Sequence, residues 1–486
     1  MTSIVYNPIQ PAMKGLPEKV DVIVVGGGGA AMAAALTARE RGASVLVLEA
    51  APKDFRGGNT RHVRNIRYAH DAATDFVTGP YPVDEYYDDL LRVTQGNTDK
   101  DLSRFLIEKS LDAADWMAAR GVKFQPPLSG TIGLDRTNAF FKGGGKAVLN
   151  AYYATAEKLG IDCRYEAEVT DLKIEDGAFT AARVMYQGAE HTVEARAIVL
   201  ASGGFQANTE WLKEGWGDAA EGFLIRGTGY NKGRMLRVLM DHGAETAADA
   251  DQCHAIAIDA RSPKCDGGIA TRVDCVIYSI MVNRQAQRFY DEGEDIWPKR
   301  YAIWGRLLAK QEDQIAFGIV DAKANDLFMP SLYPPLKADT IRGLAELLEL
   351  DPDALEATVA DYNAACRKGD NADKEFTPGV LDGLSTEGLS PAKTNWAQPI
   401  DTPPYYGYPL RTGITFTYLG VKVNKEARVQ FKGKDGRALS AANIYAAGEI
   451  VSGNILGQGY AGGIGMAIGL VFGRIAGEGA ARNASN

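Results

Sequence analysis

The chain has 486 residues, and at about 150 residues per domain this length predicts two or three domains rather than a small disulfide-stapled module. Its 53 Lys and Arg against 62 Asp and Glu give a net charge of -9, which argues against DNA or RNA as a partner. The five Cys lie far apart without a C-x-x-C pair, so we expect no metal site, no disulfide framework and a reducing compartment. The N-terminal residues lack the apolar core of a signal peptide, so the cytoplasm is the expected location.

The first predicted unit is a strand, a helix and a second strand. Residues 1–19 contain three Pro and little periodicity, and we interpret them as a leader. VDVIVV predicts a strand from residue 20, GGGGAAMAAALTARERG predicts a helix, and ASVLVLEA predicts a second strand that ends near Glu49. Two apolar strands joined by a helix indicate a parallel sheet that is covered on both faces.

A dinucleotide-binding pattern lies at the turn of this unit. Gly26, Gly28 and Ala31 follow the first strand as G-x-G-x-x-A, and Glu49 comes 23 residues after Gly26. The first Gly permits a tight turn, the second lets a pyrophosphate approach the backbone, and the helix N-terminus attracts its negative charge. Glu49 can accept hydrogen bonds from ribose hydroxyls. The pattern therefore predicts a bound dinucleotide, and it leaves both NAD and FAD open.

The remaining elements predict that the nucleotide-binding domain is interrupted. After a helix and an antiparallel meander, AIVLASGG predicts a strand that returns to the first sheet. The next segment has mixed polarity and a helical pair near LDPDALEATVADYNAACRKG, which begins at an Asp cap. ANIYAAGEI then predicts a strand, and GYAGGIGMAIGLVFGRIAGEGAARN predicts a glycine-opened helix. We expect a nucleotide-binding domain of residues 20–204 and 401–482, and an inserted domain of residues 205–400.

Three further motifs resemble one flavoprotein superfamily over nearly the whole chain. RGGNT at residues 56–60, SGG at 202–204 and AAGE at 446–449 resemble the FAD-binding pattern of the fumarate reductase and succinate dehydrogenase flavoproteins. The resemblance implies an α/β fold in which a Rossmann-like FAD-binding domain carries an inserted α+β capping domain. No second G-x-G-x-x-G follows a strand, so we expect no NAD(P)H domain. The cofactor contacts that the resemblance implies are Gly26, Gly28, Ala30, Ala31, Glu49, Ala50, Gly57, Gly58, Asn59, Thr60, Val169, Ala201, Ser202, Gly203, Gly448, Glu449, Gly463 and Ile464.

One loop position bears on how FAD is attached. Succinate dehydrogenases hold FAD covalently through a His in the loop that matches residues 57–60. Asn59 stands at the matching position, so the resemblance implies non-covalent FAD. His62 lies close enough to keep covalent attachment open as an alternative.

The inserted segment resembles the capping domain of the same superfamily. Gln252-Cys253-His254 resembles the motif whose His binds a substrate carboxylate, although composition alone favours a structural His. VNRQAQRFYDEGEDIWPKRY resembles the stretch that precedes a catalytic Arg, which implies Arg300; because the loop is longer here, Lys299 or Arg306 could hold that place. A guanidinium can bind a carboxylate and, with a carboxylate relay near it, pass a proton.

Two positions depart from the fumarate reductases. Phe416 stands where they carry a second substrate His, and Tyr460 stands where they carry a carboxylate-binding Arg, which argues against fumarate or succinate. GITFTYLGV and AGEIVSGNILGQGYAGG most resemble the FAD-dependent tricarballylate dehydrogenases. That resemblance implies oxidation of tricarballylate, or a similar polycarboxylate, to an alkene such as cis-aconitate, with hydride transfer to flavin N5. The implied catalytic residues are Arg300 and His254, and the implied substrate contacts are Arg411, Thr417 and Tyr460.

The resemblance also implies an electron acceptor outside the chain. This acceptor would be a membrane-associated iron–sulfur and haem protein, which would bring the chain to the inner membrane face as a peripheral protein. Three alternatives stay open: a fumarate reductase-like enzyme, a 3-ketosteroid Δ1-dehydrogenase-like enzyme that uses Tyr418 or Tyr460, and an electron-relay or oxygen-using flavin subunit. Charge distinguishes the first two, because cationic side chains in one pocket favour an acid and an apolar slot favours a sterol.

Overall fold

The computed structural model describes residues 15–127, 134–175, 177–295, 301–366, 375–433 and 437–485. The predicted leader therefore lies mostly outside the described residues. Within them the strands are β1 (Lys19–Val25), β2 (Val45–Glu49), β3 (Asn65–Arg67), β4 (Asn138–Phe140), β5 (Asp162–Tyr165), β6 (Ala167–Glu175), β7 (Ala178–Tyr186), β8 (Ala189–Leu200), β9 (Leu224–Ile225), β10 (Thr246–Ala247), β11 (Cys253–Asp259), β12 (Ile280–Val282), β13 (Ile315–Val320), β14 (Leu336–Ala338), β15 (Tyr405–Thr417), β16 (Gly420–Val421), β17 (Arg428–Lys432) and β18 (Ala438–Ala446).

The helices lie on and between the sheets that these strands form. They are α1 (Gly29–Glu40), α2 (Val83–Thr94), α3 (Lys100–Glu108), α4 (Ala113–Ala118), α5 (Leu134–Thr137), α6 (Gly144–Lys158), α7 (Thr209–Trp216), α8 (Arg234–Asp241), α9 (Trp304–Ala309), α10 (Ile341–Leu347), α11 (Pro352–Ala365) and α12 (Ile464–Ser485). Helix α11 is capped by Asp351, whose carboxylate accepts hydrogen bonds from two backbone N–H groups, so the predicted Asp cap is confirmed.

The first sheet has the strand order β17-β18-β8-β1-β2-β5 and carries the antiparallel ribbon β6-β7 beside β8. Strand β1 pairs in parallel with β2 and with β8, and β18 pairs in parallel with β8. All five residues of β2 are buried, as expected for a strand without polar alternation. The predicted strand–helix–strand unit, the meander and the return of the chain to the first sheet are confirmed.

The second sheet has the order β11-β15-β13-β12, with β9 and β14 also pairing with β15. Its long strand β15 spans Tyr405–Thr417 and pairs antiparallel with β11 and β13. The second sheet therefore extends past residue 400, where the sequence placed the end of the inserted domain. The strand partners of β15 all lie before residue 400, so the chain completes the second sheet with β15 before it re-enters the first sheet.

The C-terminal helix α12 packs closely against α1 in the core of the first unit. A Cβ added at Gly473 would lie 2.6 Å from the carbonyl oxygen of Ala30, and one added at Gly477 would lie 2.2 Å from that of Ala34. Glycine at these positions lets two helix backbones approach each other directly. By length and hydropathy α12 could cross a membrane, but 72% of its most apolar window is buried inside the protein, as in a core helix.

Replacing Gly477 by Val tests this helix contact. We expect the free energy of unfolding to fall by about 3 kcal/mol, because a side chain there meets backbone atoms that cannot rotate away. Urea denaturation followed by far-UV circular dichroism measures the change. Arg482→Val is the matched control on the same helix, since the Arg482 side chain is 72% exposed. Equal stability of the two variants would contradict the close packing.

Candidate active site

A cavity of about 610 Å³ lies where the two sheets meet. Its wall is built from the loops that follow β1, β2 and β8, from the start of α12 and from the near end of the second sheet. All of the predicted cofactor contacts lie on this wall except Ala31, Gly57 and Ile464. Each of these three residues directly adjoins a wall residue in the sequence. The residues that the sequence analysis groups as cofactor contacts therefore lie around one cavity.

The turn after β1 has the geometry that the glycine pattern predicts. Gly26 has a φ of +105°, and a Cβ added there would lie 2.4 Å from the carbonyl oxygen of Ala201. Gly28 caps α1 without a side-chain hydrogen bond, and the first turn of the helix carries no acidic residue. Thr60 Oγ1 accepts from the N–H of Gly29, and the N–H groups that follow it, with the helix dipole, can serve an anion such as a pyrophosphate.

Glu49 closes the far side of this turn. Its carboxylate is 6% exposed and accepts hydrogen bonds from the N–H groups of Ala51 (2.9 Å) and Gly57 (3.1 Å). Burial raises the pKa of Glu49, while the backbone hydrogen bonds act in the opposite direction. The carboxylate lies at the end of β2 on the cavity wall, where a ribose hydroxyl could donate to it.

The loop of residues 57–60 joins the two sheets across the cavity. Thr60 Oγ1 accepts a hydrogen bond from the N–H of Gly29 at 2.9 Å. Asn59 accepts from the N–H of Thr228 at 2.9 Å through its side-chain oxygen and donates to the carbonyl of Thr415. His62, the alternative attachment point, is hydrogen-bonded to Asp266 at 2.8 Å. Each polar group of the loop thus has a defined protein partner.

A buried carboxylate supports the opposite wall. Glu449 Oε1 accepts from the N–H of Thr417 at 2.9 Å and from its hydroxyl at 3.3 Å, and Oε2 accepts from the Asn231 amide at 3.3 Å. Burial raises the pKa of Glu449 to about 7 despite these donors. This wall is therefore held by a group that changes charge near neutral pH.

The raised pKa of Glu449 predicts a pH-dependent stability. The folded protein holds this proton up to about pH 7, and the unfolded chain loses it near 4.5, so Glu449 lowers the free energy of unfolding as pH rises between these values. Glu449→Gln should remove this slope and gain up to about 3 kcal/mol relative to the wild type between pH 5 and 8. Urea denaturation at both pH values measures it. If the free energy of unfolding changed with pH equally in Glu449→Gln and in the wild type, the raised pKa of Glu449 would be contradicted.

The predicted substrate residues His254 and Tyr460 are brought into contact. Their rings stack with centroids 3.8 Å apart, and Tyr301 meets His254 edge-on at 5.7 Å. Nε2 of His254 is buried and has no hydrogen-bond partner among the described residues. Burial, followed by the charges of Arg226 and Arg272, holds the pKa of His254 well below its usual range. His254 is therefore a neutral imidazole with one ring nitrogen available to a ligand.

Three arginines that the sequence interpretation missed line the same wall: Arg64, Arg226 and Arg272. Arg226 is 7% exposed, and its Nε and Nη1 have no partner among the described residues. Burial, followed by the charge of Arg272, lowers the pKa of Arg226 to about 10. Arg272 forms an ion pair with Asp274 at 2.5 Å and lies 4.2 Å from the Tyr301 ring centroid. A buried guanidinium without a partner lowers the stability of the folded protein unless a bound anion pairs with it.

Two predicted substrate contacts need correction. Arg411 lies in the middle of β15, and its guanidinium donates to the carbonyl of Asp313 at 2.8 Å. Five residues of extended strand, about 16 Å, separate it from Phe416 on the cavity wall. Thr417 is fully buried and bonded to Glu449 rather than directed into the cavity. Neither residue therefore contacts the cavity.

The predicted proton-transfer residue, Arg300, lies outside the described residues, as does the alternative Lys299. The remaining alternative, Arg306, donates to Gln252 Oε1 at 2.8 Å and to the carbonyl of Asp251 at 3.1 Å. Its guanidinium lies 5.0 Å from the ring centroid of Trp216. These contacts direct Arg306 away from the cavity, and the assignment of Arg300 stays a prediction.

Residues 21–465 match the protein family described as FAD binding domain. The chain belongs to this FAD-binding family. The flavoprotein is 29% identical to the probable fumarate reductase Ifc3 of Shewanella frigidimarina (strain NCIMB 400), over 98% of this chain and 78% of that protein. It is 28% identical to the NADH:fumarate oxidoreductase of Klebsiella pneumoniae (strain 342), over 96% of this chain. The flavoprotein spans 48%, or about half, of the length of that second relative.

Two solved structures show the same fold. The open conformation of a flavocytochrome c3 fumarate reductase matches with a TM-score of 0.75 and 24% identity, over 97% of this chain and 80% of that one. The 3-ketosteroid Δ1-dehydrogenase from Sterolibacterium denitrificans matches with a TM-score of 0.74 and 19% identity, over 96% of this chain and 100% of that one. The predicted α/β fold is confirmed, and the flavoprotein is an FAD-dependent oxidoreductase of the fumarate reductase and succinate dehydrogenase superfamily.

The wall residues fit FAD. A Cβ added at Gly27 would lie 2.4 Å from Glu49 Oε2, so a side chain at this position would disturb the turn that precedes α1. Glu49 is placed to accept from the ribose, and residues 58–60 and 463–466 would flank the ring system at the other end. FAD is thus the cofactor, and its non-covalent attachment stays a prediction.

Proposed function

We propose that the flavoprotein oxidises a carbon–carbon single bond of a polycarboxylate, converting tricarballylate to cis-aconitate. The observation that carries this proposal is Arg226, a buried guanidinium on the cavity wall with two nitrogens that have no partner among the described residues. Relatives named as fumarate reductases support this class of reaction, in which hydrogen is added to or removed from a pair of adjacent carbons. When bound, FAD supplies the hydride acceptor at flavin N5.

The arginine wall would bind and orient the acid. Arg226 presents donors for one carboxylate, and Arg64 and Arg272 add positive charge on the same wall. Guanidinium–carboxylate hydrogen bonds are short and often bidentate, so they fix the orientation of a substrate as well as its affinity. Arg272 also forms an ion pair with Asp274 on the same wall, so Arg226 would provide the main contact to a substrate carboxylate.

The rings beside Arg226 would position the reacting carbons. Neutral His254 can donate or accept a hydrogen bond through Nε2, and the Tyr460 hydroxyl is held by the N–H of Gly465 in the first turn of α12. Arg300 remains the proposed group that takes the proton from the carbon next to the transferred hydride. Its support is the resemblance of the surrounding sequence, and Tyr301, the next residue, lies on the cavity wall.

The ketosteroid alternative fits the charge of the cavity less well. Burying arginines against a sterol would leave their charges uncompensated. Of the two tyrosines that this alternative could use, Tyr418 donates its hydroxyl to the carbonyl of Gly459 and is 1% exposed, whereas Tyr460 lies on the cavity wall. The electron-relay and oxygen-using alternatives make no use of an anion-binding wall, and the experiment below separates them from the dehydrogenase.

The electron acceptor and the location of the protein are also proposals. The resemblance to tricarballylate dehydrogenases supports a membrane-associated iron–sulfur or haem protein as acceptor, and a relative named fumarate reductase (cytochrome) supports such a partner. A cytoplasmic protein that visits the inner membrane face as a peripheral protein would suit that acceptor.

Anaerobic bleaching of the flavin absorbance tests the proposed reaction. The purified holoenzyme is mixed with tricarballylate, succinate, citrate or a 3-ketosteroid, and loss of the oxidised-flavin band is followed in a stopped-flow instrument. We expect rapid bleaching by tricarballylate, because its carboxylates can form hydrogen bonds with the guanidinium groups on the cavity wall. Bleaching by the steroid alone would favour the ketone reaction, and no bleaching by any compound would favour an electron-relay role.

A further inference from the structure

Arg64 places a guanidinium on the cavity wall, between the loop of residues 57–60 and β3. Its backbone carbonyl accepts a hydrogen bond from the N–H of Phe141 at 2.9 Å, and its guanidinium lies 5.7 Å from the ring centroid of Phe140. Within the described part of the chain, this guanidinium takes part in no hydrogen bond and no ion pair. The backbone of Arg64 is thus fixed beside β4, while its charged end is available to a ligand.

The acidic residues on the cavity wall do not supply a partner for Arg64. Each of them is bonded to another group of the protein: Glu49 to backbone N–H groups, Glu168 to Arg234, Asp274 to Arg272 and Glu449 to Thr417. A buried or half-buried cation without an anionic partner is unfavourable, because the protein replaces water that would solvate the charge. An anion that pairs with Arg64 would therefore come from a ligand in the cavity.

Arg64 and Arg226 reach the cavity from different parts of the fold. Arg64 precedes β3, whereas Arg226 directly follows β9 of the second sheet. Burial, followed by the charge of Arg272, lowers the pKa of Arg64, and the charge of Asp274 acts in the opposite direction. Burial, followed by the charge of Arg272, also lowers the pKa of Arg226, and the charge of Arg64 adds to this effect. Arg64 and Arg226 therefore repel each other, and a ligand with two separate negative charges would relieve this repulsion better than a ligand with one.

We propose that Arg64 binds a second carboxylate of the acid whose first carboxylate is bound by Arg226, and that this contact selects acids with at least two carboxylates. The inference rests on the proposed function, because it assigns a further contact to the same substrate. Guanidinium groups bind carboxylates through two parallel hydrogen bonds, so the two arginines would hold both ends of a short carbon chain and place its carbons between them. A monocarboxylate leaves one guanidinium without an anion and binds more weakly.

Binding of two matched acids to the oxidised holoenzyme tests the role of Arg64 without turnover. 3,3-Dimethylglutarate and 3,3-dimethylbutanoate differ only by one carboxylate, and neither can be dehydrogenated to an alkene because carbon 3 carries no hydrogen. Each acid is titrated into the protein, and its Kd is read from the change in the flavin absorbance spectrum. We expect the wild type to bind the diacid at least about tenfold more tightly than the monoacid, and Arg64→Met to lose this preference. The affinity for the monoacid, which needs only Arg226, should change less than about twofold.

Two further variants separate this role from a general effect of charge or folding. Arg61→Met is the matched control, because Arg61 lies on the same segment but off the cavity wall, with its guanidinium 5.2 Å from the ring centroid of Phe55. It should keep the preference for the diacid. Arg64→Lys should keep part of the preference, since it retains the charge but not the planar pair of donors.

Three results would overturn the proposal. These are equal affinities of the wild type and Arg64→Met for the diacid, an equal loss of affinity for both acids in Arg64→Met, and loss of bound FAD from Arg64→Met, which would assign Arg64 to the cofactor. Because neither acid can be oxidised, failure here is distinct from failure of the proposed function. A preference for the diacid that depends on Arg64, in an enzyme whose flavin tricarballylate does not bleach, would support the role of Arg64 and contradict the proposed oxidation.

Discussion

Replacing Arg226 by Met is expected to slow flavin reduction by tricarballylate at least about a hundredfold. The guanidinium is buried, and its Nε and Nη1 have no partner among the described residues. Loss of a charged hydrogen bond to a substrate costs roughly 3 kcal/mol. Arg226→Lys should recover only part of the rate, because an ammonium group cannot bind a carboxylate through two parallel hydrogen bonds. Stopped-flow bleaching under anaerobic conditions measures both variants.

The stability of the Arg226→Met variant separates this effect from misfolding. Removing a buried guanidinium whose Nε and Nη1 have no partner within the described part of the chain should leave the free energy of unfolding equal to or above that of the wild type. Arg411→Met is the matched control, since Arg411 lies on the same sheet but bonds to Asp313 away from the cavity. A similar loss of rate in both variants would contradict the role of Arg226, as would full activity of Arg226→Met.

Replacing Gly26 by Val is expected to abolish FAD binding. The added Cβ would lie 2.4 Å from the carbonyl oxygen of Ala201, so the turn that presents the start of α1 to the pyrophosphate cannot keep its shape. We expect the purified variant to carry less than about a tenth of the wild-type flavin, measured by absorbance after denaturation.

A second glycine provides the control for backbone strain. Gly42 has a φ of +94°, close to the +105° of Gly26, but a Cβ added there meets nothing within 4 Å. Gly42→Val therefore carries the strain of a left-handed residue without the steric clash. We expect it to lose some stability and to keep its flavin. Loss of flavin in both variants would assign the effect to strain rather than to the shape of the turn.

The cofactor side of the site was predictable because its signals are local. The turn at Gly26, the start of α1 and Glu49 at the end of β2 come from one continuous segment, where strand and helix periodicity fix the relative positions. Glu449 was found through the Ala-Gly-Glu motif. Its hydrogen bonds to Thr417 and Asn231 could not be foreseen, since they join three distant segments of the chain.

The substrate side was only partly predictable, because its residues meet through tertiary structure. His254 and Tyr460 were found by resemblance, and their ring stack joins the second sheet to the segment before α12. Arg226 directly follows the two-residue strand β9, which gives too short a pattern to recognise. Arg64 had a usable signal, because it lies four residues beyond Thr60 in the loop already assigned to the cofactor.

The error at Arg411 has the opposite cause. The segment that contains Arg411, Phe416 and Thr417 was treated as one group beside the substrate. Because β15 is extended, its residues spread along the sheet, and only Thr415 and Phe416 of its last residues reach the cavity wall. A contiguous motif on a helix turn or a tight loop stays together in space, whereas one on a long strand does not.

The measurement that tests the central claim most directly is product analysis of a single anaerobic turnover. Holoenzyme in excess is mixed with tricarballylate, the reaction is quenched after the flavin has bleached, and the acids are identified by proton NMR. The account predicts one cis-aconitate formed for each flavin reduced, because oxidation of one carbon–carbon bond supplies two electrons. Bleaching without cis-aconitate, or unchanged tricarballylate beside oxidised flavin, would contradict it.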